Sequence, residues 1–189
     1  MTQQLQPTSH QILGPFYPLS KPTESGDLTH IEGGGAAAKG QVLYLGGRVM
    51  DRGGAPVANA RMEIWQANAG GRYTHPNDTN PEPVDPNFEG FAVVHTDTDG
   101  RYHLKTIKPG AYPAGPNRIR PAHIHFEVQG RTERFVTQMY FQGDPHHEKD
   151  TWLQSSRNPE TIVMPLLDPT EGMEPDAKRI EFDIVLMNG

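Results

Sequence analysis

From Gln41 onward, apolar residues recur at alternate positions in short runs separated by turn formers, the pattern of half-buried strands. "QVLYLGGRVMD" and "PVANARMEIWQA" read as strands joined by the turn "RGGAP". "GFAVVHTDTDGRYHLKTI" reads as a hairpin around "DTDG", because Asp-Gly supplies the positive φ of a tight turn. "AHIHFEVQG" and "RFVTQMYFQGD" form a second pair, and "ETIVMPL" is short and edge-like. "KRIEFDIVLM" closes the pattern, with Ile180, Phe182, Ile184 and Leu186 on one face. Only Asp150–Ser155 and Glu171–Lys178 have helical character, the second weakened by Pro175. Short strands with turn signals between them predict an all-β protein, a β-sandwich of mostly antiparallel strands.

Ahead of this core (41–189), residues 1–40 predict an irregular N-terminal arm, turn-rich in "GPFYPLSKP" and small and flexible in "EGGGAAAKG". Together they predict one domain overall. Between Asn68 and Glu89 the chain is polar and without periodicity, and a loop that long in a compact domain is usually functional or disordered. Glycine (20) and proline (18) make up about a fifth of the 189 residues, which cuts elements short. The absence of cysteine excludes disulfides and thiolate ligands. A net charge of −6 with scattered basic residues argues against a nucleic-acid partner. No apolar run approaches the ~18 residues of a membrane span. With no basic-then-apolar leader at the start, a cytoplasmic location is expected.

"RPAHIHFEV" carries the first candidate chemistry. On a strand, Ala122, Ile124, Phe126 and Val128 face one way, and His123, His125 and Glu127 the other. Adjacent same-face imidazoles can chelate Zn, Fe, Cu or Ni, and the same spacing fits two solvated histidines. His10, His30, His75, His95, His103, His146 and His147 are scattered through the arm, strands and loops. Asp78 and Asp85 could complete a facial triad. Tyr73 in "GGRYTHPND" and Tyr112 in "TIKPGAYP" are loop tyrosines that ordinary packing would also explain. Composition and periodicity leave these alternatives open.

The stretches "EIWQANAGGRY", "DPNFEGFAVVHTDTDGRYHLKTIKPGAYP", "RPAHIHFEV" and "TQMYFQGD", in this order, cover about half the chain. On them the chain resembles the intradiol ring-cleavage dioxygenases, most of all the iron-bearing (beta) subunits of protocatechuate 3,4-dioxygenases. "LGPFYP" is also similar to the arm that approaches the active site in catechol-cleaving members. The resemblance implies a non-haem Fe(III) held by Tyr73, Tyr112, His123 and His125, with Tyr112 and His125 axial. Hard Fe(III) suits phenolate oxygens, and a cation of that charge drives a phenol pKa far below ~10.

It further implies that a catechol binds through both oxygens and releases Tyr112, that O2 attacks the activated ring carbon, and that acyl migration and hydrolysis give a cis,cis-muconate-type diacid. Arg120 matches the catalytic arginine, a fixed cation for developing negative charge. Gln138 and Trp65 match positions beside the iron and in the substrate pocket. Gly14, Pro15, Phe16 and Tyr17 would line that pocket. Two departures stand out. Protocatechuate enzymes carry Trp two residues after the releasable tyrosine, where this chain has Ala114, and the helical dimerisation region of catechol and hydroxyquinol enzymes is not matched. The expected partners are a catechol-type molecule and O2, a homo-oligomer, and in some arrangements an iron-free subunit. The competing readings are a cupin-like His-x-His metalloenzyme and a non-catalytic transthyretin-like binding module.

Overall fold

The computed structural model describes residues 4–21 and 25–189; residues 1–3 and 22–24 of the expected arm lie outside them. The strands are β1 (Val42–Asp51), β2 (Arg61–Gln66), β3 (Phe91–His95), β4 (Arg101–Ile107), β5 (Tyr112–Pro113), β6 (Ile119–Arg120), β7 (His123–Gln129), β8 (Arg134–Phe141), β9 (Val163–Met164), β10 (Lys178–Glu181) and β11 (Ile184–Leu186). A single turn of α-helix, α1 (Thr151–Gln154), follows β8. One sheet orders β3-β2-β7-β8-β9. A second is built on β1, with β10 and β11 in parallel along it and β4 antiparallel. β5 and β6 form a separate two-stranded ribbon.

The sheets meet face to face through the residues the alternation assigns to the core. Leu43, Leu45 and Val49 of β1 join Met62, Ile64, Ile124, Phe126, Val128, Phe135 and Met139 of the other sheet in one buried cluster. Burying each such side chain contributes about 1.5–3 kcal/mol, so this shared interior holds the sandwich together. β7 and β8 pair antiparallel as expected, and β9 is the short edge strand expected of "ETIVMPL".

Two local expectations are corrected. The "DTDG" turn exists, with Gly100 at φ +75, but its flanking strands do not pair with each other. β3 pairs with β2 and β4 with β1, so the turn carries the chain from one sheet to the other. Gly100 accepts from Val49 N through its carbonyl, and a Cβ there would lie 2.5 Å from Val49 O, which packs the turn against β1. Asp-Gly fixes a turn's geometry but not the partner of each strand. Secondly, Glu171–Lys178 is a pair of turns leading into β10. Pro175 disfavours helix at Glu174, whose carboxylate instead accepts from Tyr44 OH and Lys105 Nζ, both at 2.6 Å.

The final run also splits. All four residues assigned to one face are buried, but the chain leaves β1 between β10 and β11 at Phe182 and Asp183. Gly47 makes this possible, since a Cβ there would lie 2.1 Å from Phe182 O. Residues 4–21 and 25–40 contribute no regular strand; Asp27 makes an isolated bridge to Lys105. No helix of the described residues is long and apolar enough to cross a membrane.

Candidate metal and substrate site

The polar face of β7 is as buried as its core face. His123 and His125 are each 2 % exposed, covered by the arm and by the 68–89 loop instead of by the second sheet. Register builds the row around them: Trp65 of β2 and Gln138 of β8 flank His125, and Tyr140 of β8 flanks His123. The Trp65 indole stacks on the His125 ring at 4.7 Å and 9° between planes.

The two tyrosines arrive from loops that cross at close range. A Cβ on Gly71 would lie 2.4 Å from Ala111 O, and one on Gly110 2.4 Å from Ala69 O, so glycine is required at both crossings. Asn68 O accepts from Gly110 N at 2.9 Å and ties the loops together. Asp78 accepts from the amides of Tyr73 (2.7 Å) and Asn80 (2.8 Å), fixing the loop that carries Tyr73. Tyr112 pairs with Arg120 across the β5–β6 ribbon, so one short hairpin delivers both.

The side chains converge. His123 Nε2 and His125 Nε2 are 3.1 Å apart, and Tyr73 OH lies 3.2 Å from His125 Nε2 and 3.5 Å from His123 Nε2. The Tyr112 ring meets Tyr73 edge-on at 5.5 Å and His123 at 5.6 Å. His123 Nδ1 donates to Pro121 O at 2.8 Å, which leaves its Nε2 lone pair facing the cluster. Burial, aided by Arg120, lowers His123 to about 3; burial and the neighbouring His123 hold His125 well below the ordinary range. Both imidazoles are therefore neutral, the form that ligates a metal. Burial raises both phenols, Tyr73 most, so each keeps its proton unless a cation enters. Two neutral imidazoles and two phenols converging in a dry site form an N2O2 set that fits a hard, highly charged ion such as Fe(III).

No group of three or more His, Asp or Glu side chains in metal-binding geometry occurs among the described residues. That removes the support for a cupin-like site. Asp78 serves the Tyr73 loop, and Asp85 accepts from the Lys39 and Asn87 amides. His146 and His147 are half-buried, and His147 packs edge-on against Tyr140.

Arg120 is 4 % exposed and held from several sides. Its Nε lies 2.9 Å from Asp150 Oδ2, its Nη2 donates to Gln138 Oε1 (2.6 Å) and Tyr140 OH (3.0 Å), and it lies over the Trp152 ring. The arm closes the site. Gly14, at φ +78, places its Cα where a Cβ would meet His125 Cε1 at 3.0 Å. Phe16 packs on Tyr73 at 4.8 Å and on Tyr112 at 6.1 Å. Tyr17 meets Trp65 edge-on and donates to Glu63, which also binds Lys21 and Arg61. Gln138 Nε2 donates to Ile12 O at 2.8 Å. A cavity of about 330 Å³, lined by Phe16, Tyr112, Ala114, Arg120 and Trp152 among others, opens beside the cluster. A second, of about 420 Å³, lies beyond Phe16 against Trp65 and Tyr73.

A family model described as "Dioxygenase" matches residues 12–188, nearly the whole described chain. The protocatechuate 3,4-dioxygenase beta chain of Burkholderia cepacia is 43% identical, over 98% of this chain and 83% of that one. This chain belongs to the intradiol ring-cleavage dioxygenase family. Catechol 1,2-dioxygenase of Acinetobacter baylyi is 34% identical over 76% of this chain, which spans 49% of that relative. Among solved structures, catechol 1,2-dioxygenase from Acinetobacter sp. ADP1 superposes with a TM-score of 0.75 at 28% identity, over 95% of this chain and 62% of that one. Membership makes the chain an oxidoreductase of the dioxygenase class, not a binding module that keeps only a β-sandwich.

Sequence reading alone missed Tyr140, Asp150, Trp152 and Glu63. Asp150 caps α1 by accepting from Leu153 N at 2.8 Å, so a helix-start signal was present, but nothing local connects it to Arg120.

Proposed function

We propose that this chain is an Fe(III) intradiol dioxygenase that opens a catechol between its hydroxyl-bearing carbons to a cis,cis-muconate-type diacid. The observation that carries the reading is the buried convergence of Tyr73, His123 and His125 within 3.1–3.5 Å, with Tyr112 beside them. Tyr73, Tyr112, His123 and His125 would hold the iron. Bound there, Fe(III) would supply a Lewis acid that favours the ionised form of a catechol hydroxyl.

The chain's own groups divide the remaining work. Tyr112 is the most exposed of the four and borders the 330 Å³ cavity, so its Oη is placed to take a proton from an incoming catechol hydroxyl. Arg120 presents a fixed cation at the same wall, and Gln138, Tyr140 and Asp150 hold it there. Trp65 locks the His125 plane, while Phe16 and Tyr17 keep water from the cluster. Residues 41–189 would act as one domain with the 1–40 arm as its cover, in a homo-oligomer or beside an iron-free subunit.

The test is O2 uptake by the purified protein over a panel of catechols, with mass spectrometry of the product. A muconate and a visible phenolate-to-iron absorption that shifts on adding catechol are expected. A semialdehyde, or a colourless protein with one stoichiometric metal, overturns the reading.

A further inference from the structure

The charges around the 330 Å³ cavity are already matched among themselves. Arg120 lines it but is ion-paired with Asp150 at 2.9 Å, and its Nη2 is taken by Gln138 and Tyr140. Asp78 lines it but accepts two backbone amides and lies 3.7 Å from Arg72. The rest of the wall is mostly apolar, from Ile12, Phe16, Ala114 and Trp152, with the Tyr112 phenol and Thr79 as its uncharged polar groups. Arg118 stacks 4.2 Å over the Trp152 ring and donates to Thr151, but does not line the cavity. Among the described residues, the lining therefore offers a ring substituent apolar surface and no cation without a carboxylate partner.

We infer that the ring this site takes is a neutral catechol bearing a small apolar substituent, and that a ring-borne carboxylate is selected against. The inference rests on the dioxygenase reading and narrows its substrate. A carboxylate entering this cavity would lose water and meet only one cation, already ion-paired with Asp150, and it would share the wall with the Asp78 carboxylate. A methyl, ethyl or chloro group loses nothing polar, and Ala114 leaves it room between Tyr112 and Trp152. Selectivity here works as much by an unmet charge as by a favourable contact.

Binding tests this apart from turnover. Calorimetric Kd values of the purified holoenzyme for 4-methylphenol and 4-hydroxybenzoate compare the same ring with the two substituents. The methylphenol is expected to bind roughly a hundredfold tighter. In O2 uptake, kcat/KM for 4-methylcatechol should exceed that for 3,4-dihydroxybenzoate by a similar factor. Ala114→Arg places a cation at the wall and should move both ratios toward the carboxylated ring by at least about tenfold. Equal or tighter binding of 4-hydroxybenzoate by the native protein overturns the inference. An Ala114→Arg variant that folds and binds 4-methylphenol but leaves the ratio unmoved overturns the assignment of the substituent to this wall. Cleavage of no catechol at all would instead overturn the dioxygenase reading, and the Kd ratio would still decide the selectivity.

Discussion

Replacing Asp150 by Asn isolates the charge that holds Arg120. Both side chains are almost wholly buried, 1 % and 4 % exposed, and Arg120 Nε lies 2.9 Å from Asp150 Oδ2. Removing one partner of a buried pair typically costs about 3–5 kcal/mol, mostly because the other charge is left unmatched. Arg120 keeps its bonds to Gln138 and Tyr140 and its contact with Trp152, so about 3 kcal/mol is expected here. Asp150→Ala also removes the α1 cap on Leu153 N, adding about 1 kcal/mol. For a domain of this size, each kcal/mol moves Tm by about 2–4 °C, so the Asn variant should melt about 6–12 °C lower. The Asp150→Asn/Arg120→Met double variant should lose less than the sum of the two single losses, since it leaves no orphaned charge. Turnover should fall by about ten- to a hundredfold in the Asn variant as the guanidinium loses its fixed direction. An Asn variant that melts with the native protein and keeps its kcat would refute both the energetic and the positioning arguments.

Other expectations follow from the same contacts. Tyr73→Phe should abolish or strongly shift the visible absorption and lower iron content, read by optical spectroscopy and metal analysis; an unchanged spectrum would remove Tyr73 from the ligand set. Gly14→Ala must place a Cβ 3.0 Å from the His125 ring at φ +78, so it should cost about 1 kcal/mol of stability and raise KM as the arm lifts. Glu63 links arm to sheet. Burial pushes its carboxyl up, but hydrogen bonds from Lys21, Tyr17 and Arg61 outweigh this and hold it below the ordinary value of 4.5. A lowered folded-state pKa means stability that is present above 4.5 and is lost as the pH falls through and below it. Glu63→Gln should flatten that acid limb in urea melts; an identical limb would rule Glu63 out as its source.

How far the sequence reaches depends on the range of each interaction. Alternation along "AHIHFEV" placed Ile124, Phe126 and Val128 in the core and both histidines on the other face, because side-chain direction in a strand is a local property. The same logic located β7–β8, the edge strand and α1. It failed at "DTDG", where the turn is local but the pairing of β3 and β4 is a matter of which sheet each strand completes. It failed at Glu171–Lys178, where a helical composition yielded to Pro175 and to long-range bonds from Tyr44 and Lys105.

For the site the division is sharper. Residue types and spacing permitted a metal at His123 and His125 but equally allowed a solvated pair, and only the likeness of whole motifs brought in Tyr73 and Tyr112. That the four come together is a tertiary fact. It depends on two glycine crossings between distant loops, on the row Trp65–His125–Gln138 set by strand register, and on an arm that seals what would otherwise be an exposed face. By itself the sequence determined the strands, the core face and the chemical types available. The folded chain alone decided which groups meet, which carboxylate neutralises Arg120, and how much charge the cavity leaves unmatched, because distance and burial set those energies and neither is a property of a stretch of chain.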